Sequence, residues 1–270
     1  MLGKLMKYEI KATGRILLPL YGVLLAFTLI NKLFIGNNWD TLDASTLGGI
    51  PAVLSIFAYG VTMAAIFIVT FFIIIQRFYK NLLGDEGYLM HTLPVTTWKN
   101  ILSKLLIGIF WTVISGIVAI LSIFILAFSV SNFDPNFFNE LGKVFSEIYK
   151  EVGISGFMLF LEFILAVFIQ MAMGIIMIYA SISIGHLFNK RKILSSFGAF
   201  IVLNIIMNTI TSILGITFSW KLEMYADTIN QHSLGLLHGI IWGVIAVNLI
   251  FFICYFFITN YVVKNKLNLE

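Results

Sequence analysis

The sequence predicts an all-α integral membrane protein: six transmembrane helices with both termini in the cytoplasm. An N-terminal interfacial helix, a cytoplasmic coupling helix and an extracellular amphipathic helix complete the prediction. Three observations carry it. First, 60% of the 270 residues are hydrophobic and only 11% are charged, whereas soluble domains run near 45–50% apolar and about 25% charged. No soluble fold of this size has an interior for about 160 apolar residues. Second, six apolar stretches reach the 20 or so residues that a helix needs to cross the hydrocarbon core. Third, the basic residues fall in alternate connections. A soluble enzyme and a disordered chain are excluded, and with Cys254 the single cysteine, so is a disulfide scaffold.

The elements follow in chain order. Residues 1–15 place Leu2, Leu5, Met6 and Ile10 on one helical face, with Lys4, Lys7 and Lys11 away from it. Such a segment suits a helix on the inner leaflet, or a cytoplasmic extension held by charge alone. No small-residue cleavage site follows the first apolar run, so an uncleaved first span is expected. The spans are Ile16–Phe34, Pro51–Ile75, Ile101–Phe128, Ile154–Ile184, Ile193–Phe218 and Gly239–Val263. Runs such as Phe67–Ile75 show no alternation, which argues against a barrel. The chain reads as a single transmembrane domain over residues 1–270, with no repeat or separate soluble part.

Between the second and third spans, Gly84 breaks the helix, and Asp85 and Glu86 open a short one at the positive end of its dipole. Pro94 stops it, and Thr96 or Thr97 caps the next span. Tyr88, Leu89, His91 and Leu93 give this connection apolar and aromatic groups, which either pack back on the spans or meet a soluble partner. Before the fourth span, Asp134-Pro135 starts a helix over 135–150. Phe138, Leu141, Phe145 and Ile148 line one face of it, and Gly153 ends it. Ser219–His238 reads as a lid or a re-entrant piece.

Thirteen Lys and Arg lie on the side of the termini and four on the other, while acidic residues run the opposite way. The positive-inside rule then puts both termini in the cytoplasm and explains the net charge of +4 without nucleic acid. Polar side chains inside spans need a reason. Glu162 is the single ionisable group well inside a span, and Gln170 follows it at i+8. Asn204, Asn208 and Thr211 form a stripe on the fifth span, and Gly108, Thr112, Ser115, Ala119 and Ser122 form a small-residue stripe on the third. The small stripe reads as a packing seam. Glu162 and Asn208 are expected near one another around an outer opening.

No phosphate-binding loop, HExxH or GxSxG motif occurs, and the four histidines lack metal spacing. Catalysis has no visible carrier, so the chain is not expected to be an enzyme.

The opening MLGKLMKYEIKATGRILLPLYGVLL, the segment GDEGYLMHTLPVTTWKNILSKLLIGIFWTVIS and the closing NYVVKNKLNLE resemble the permease subunits of bacterial type-two ABC exporters. The likeness is to stand-alone Firmicutes permeases, including exporters of bacteriocin-like or amphipathic peptides. It implies a bacterial cytoplasmic membrane, a separate ABC ATPase at the cytoplasmic face that binds ATP and Mg, and a second permease chain in a homodimer or heterodimer. This chain would hold no cofactor. The resemblance makes Asp85, Glu86, Tyr88, Leu89, His91 and Leu93 the ATPase-coupling residues. It places Tyr59, Thr62, Asn204 and Asn208 along the substrate path, beside Glu162 and Gln170, and makes the His186–Lys192 turn a smaller contact. Two other classes of protein fit the same layout: a membrane immunity or sensor protein that binds a toxic peptide without moving it, and a lipid-modifying enzyme with Glu162 as acid or base.

Overall fold

The computed structural model describes residues 2–35, 49–84, 95–127, 137–188, 191–224 and 233–266. They are helical almost throughout, with no strand among them. The helices are α1 (Leu2–Ile35), α2 (Gly49–Phe78), α3 (Thr97–Ala127), α4 (Phe137–Gly185), α5 (Lys192–Met224) and α6 (Ser233–Asn265). Six of their segments are long and apolar enough to cross a membrane. The chain forms two compact units, one of residues 1–74 and 106–142, the other of residues 75–105 and 143–270.

In the first unit α1 runs unbroken for 34 residues, about 51 Å at 1.5 Å per residue. The helix is continuous through residues 2–15 and on past Pro19, so the expected interfacial segment and first span are one helix. Met6 and Ile10, from the face assigned to the leaflet, pack against a core of Leu17, Tyr21, Leu24, Ile66, Ile73, Ile107 and Trp111. Lys4, Lys7 and Lys11 point outward. The small stripe of α3 is a seam: Ser115, Ala119 and Ser122 are buried. Ser115 Oγ meets both Tyr21 Oη at 2.8 Å and Thr70 Oγ1 at 2.9 Å, tying α1 and α2 to α3. Asn31 and Ser55 bond each other twice, at 2.7 and 3.0 Å. Small side chains let the backbones approach, and the hydroxyls satisfy one another where water is absent.

In the second unit α2 ends in one π turn, Tyr79–Leu83, closed by Gly84, whose N–H donates to Tyr79 O at 2.9 Å. Phe78 stacks on Tyr179 of α4 with centroids 4.0 Å apart, and both are almost fully buried. A single residue breaks α4. Gly153, at φ 59° and ψ −152°, separates an arm of 16 residues from the span. Only glycine takes that backbone without penalty, and the break falls where the sequence places the end of the amphipathic helix. Of the 219–238 segment, residues 219–224 continue α5 and residues 233–238 open α6, and residues 225–232 lie outside the described residues. Arg191, at φ 60°, precedes α5 and its carbonyl accepts from Ser195 N–H. Asp85, Glu86, Tyr88, Leu89, His91 and Leu93 lie outside the described residues, as does the Asp134-Pro135 start of the amphipathic helix.

Large apolar side chains such as Phe57, Phe72, Phe160, Ile205 and Phe257 are exposed along the helices, on a scale water would not tolerate and lipid would. The apolar stretch of α5 has no buried residue at all.

Candidate functional site

The polar groups that spans two through six hold in reserve gather mainly in the second unit. Glu162 sits on α4 nine residues past the Gly153 break, half-buried. Its two carboxylate oxygens have one partner each on α6. Oε2 lies 2.8 Å from His238 Nδ1, and Oε1 accepts from Trp242 Nε1 at 3.0 Å. His238 and Trp242 are four residues apart and therefore share a face of α6. Together the two contacts tie α4 to α6.

Two turns further along the Glu162 stripe comes Gln170. It opens onto a cavity of about 590 Å³ between α4, α5 and α6. Met207, Thr211 and Phe218 of α5 and Val247 and Asn248 of α6 line the rest with other apolar groups. Gly215, Gly239 and Gly243 also face it, and a Cβ built on any of them meets nothing within 4 Å. Thr211 and Thr217 donate their hydroxyls back to carbonyls of their own helix. Asn248 is 5% exposed.

The six residues expected along a substrate path thus divide. Tyr59 and Thr62 belong to the first unit, where Tyr59 Oη meets Ser122 Oγ at 2.9 Å and Thr62 bonds back to the Ala58 and Tyr59 carbonyls. Glu162, Gln170, Asn204 and Asn208 belong to the second. The hydrogen bonds of Glu162 go to α6, while the Asn208 amide donates to the Asn204 carbonyl at 2.9 Å and to its side-chain oxygen. The cavity touches Gln170 but neither Glu162 nor Asn208. Reasoning from the sequence missed His238, Trp242 and Asn248. The i, i+4 spacing of His238 and Trp242 at the start of the last helix was the signal available.

At the opposite end of α4, the turn into α5 is built by close approach. Gly185 lies against Ser196, so that a Cβ there would stand 2.5 Å from the Ser196 backbone N and Cα. His186 follows, its ring 5.1 Å from that of Tyr79. Burial, reinforced by the nearby Lys192 charge, holds its pKa below the ordinary 6.5, and Nε2 is buried with no hydrogen-bond partner among the described residues.

Chemically, the Glu162 clamp pairs a carboxyl group with an imidazole across two helices, with the Trp242 indole N–H fixing the other oxygen. Among the described residues no three His, Cys, Asp or Glu side chains converge as metal ligands do. Set against protein-family models, curated proteins and solved structures, the chain matches none.

Proposed function

We propose that the chain is the permease subunit of an ATP-driven exporter in the bacterial cytoplasmic membrane. It would work with a separate ABC ATPase and a second permease chain, and move an amphipathic peptide or other hydrophobic substrate outward. The observation that carries the reading is six membrane-length helices joined to the segment GDEGYLMHTLP, which resembles the coupling segment of type-two ABC permeases. Supporting it, the second unit holds a cavity with amides and hydroxyls amid apolar walls, a lining suited to an amphipathic guest. The α5 helix, with no buried residue in its apolar stretch, leaves a surface for a second chain.

In this reading ATP-driven closure of the partner pushes on residues 85–93, and the helices that follow them exchange inward-open for outward-open arrangements. Asp85 and Glu86 present charge and Tyr88, Leu89 and Leu93 present apolar surface to the ATPase. The test is copurification. A tagged chain should bring down an ATPase whose turnover rises with added peptide. In Tyr88→Ala/Leu89→Ala the stimulation should drop about tenfold or more, since two apolar anchors of an interface typically cost over 1 kcal/mol each, while the melting temperature stays unchanged. Unaltered association and transport in that double variant would overturn the coupling assignment. Peptide binding with no ATPase partner would favour the immunity or sensor class instead.

A further inference from the structure

We infer that the cavity between α4, α5 and α6 is a binding site for a neutral, apolar molecule that carries an amide, held by Gln170 and Asn248. Both side chains line the cavity, and neither makes a hydrogen bond among the described residues. Asn248 is 95% buried by its own protein, and it lines the cavity with no protein group to bond among the described residues. A primary amide left so inside a membrane span is costly, and native proteins rarely keep one without a partner. The contrast with α5 is direct, where the Asn208 amide donates to Asn204.

The chemistry of the walls selects the guest. No charged side chain lines the cavity, so the ligand is neutral. Two primary amides offer N–H donors and carbonyl acceptors together. A secondary amide answers both, whereas a lipid ester answers only the donors and leaves the acceptors bare. The volume, about 590 Å³, lies within the range of small-molecule sites. The inference goes with the exporter reading as a substrate site, but binding is a property of this chain alone and needs no ATPase.

The experiment uses the purified full chain in phosphatidylcholine nanodiscs and a diazirine-tagged N-decyl hexanamide as probe. Crosslinks should map by mass spectrometry to the peptides around Gln170, Thr211 and Asn248. Untagged N-decyl hexanamide should compete about tenfold better than its ester isostere decyl hexanoate, the difference of roughly one hydrogen bond. Gln170→Leu and Asn248→Leu should each erase that preference, and Gly243→Leu, whose side chain grows into the open space, should block labelling. Equal competition by amide and ester would overturn the proposal and leave an acyl-chain crevice. So would undiminished labelling in Gly243→Leu. If Asn248→Leu fails to fold, Gln170→Leu decides, because its side chain is exposed. Loss of ATPase copurification with intact labelling would sink the exporter reading and spare this one.

Discussion

Glu162 shows how a residue can be legible alone and illegible in its relations. A lone carboxylate in a span stands out in the sequence, and in the fold it has the partners that its cost demands. Those partners lie 76 and 80 residues away, and the sequence places the start of the last span at Gly239, one residue after His238, which left the histidine in a loop. In a double-mutant cycle, Glu162→Gln and His238→Ala should couple by about 1 kcal/mol in melting experiments. Strict additivity would mean that the two side chains do not interact. His186 makes a second prediction. Its folded-state pKa is lowered, first by burial and then by Lys192, so the unfolded chain takes up the proton more readily. Its contribution to stability is whole above pH 6.5 and is lost as pH falls below that toward the lowered value. Between pH 7.5 and 5.5 the apparent melting temperature should therefore fall more in the wild type than in His186→Gln. Equal slopes would remove His186 as the source.

Among the elements, the spans were readable because apolar length is a one-dimensional property, and each expected span lies on one of the helices apart from residue 128, which is not described. Their ends were less so. Every helix continues beyond its apolar stretch into polar sequence, as α5 does to Met224, because nothing there breaks a helix and hydropathy alone marks only the lipid-facing portion. Gly153 was visible as a stop, and its positive φ gives the reason. The closeness of Gly185 to Ser196 was not, since it depends on how α4 meets α5. Gly185→Ala would drive a methyl into the Ser196 backbone, which cannot yield as a flexible side chain would. A loss of about 3 kcal/mol is expected, read as a lower apparent melting temperature, while Gly174→Ala, whose Cβ meets nothing, should be neutral or slightly stabilising. Equal effects from the two would contradict the close packing.

For the whole molecule, the charge asymmetry predicts sidedness. In a Cys254→Ser background, a cysteine at Glu147 should react with an impermeant maleimide in intact cells, and one at Lys266 should react only after permeabilisation. The reverse pattern would invert the topology. The amide-lined cavity could not be read in advance, because its wall comes from three helices whose rotations are set by packing, and no spacing in one helix encodes the others. The Gly185 contact has a mechanical meaning for that cavity. With α4 and α5 pressed together at one end, any splay of the pair would turn about that glycine as its fulcrum. Gln170 sits 15 residues along one arm, about 22 Å from the fulcrum. A splay of only about 10° would carry it about 4 Å, so a small rotation about Gly185 would change what the cavity admits.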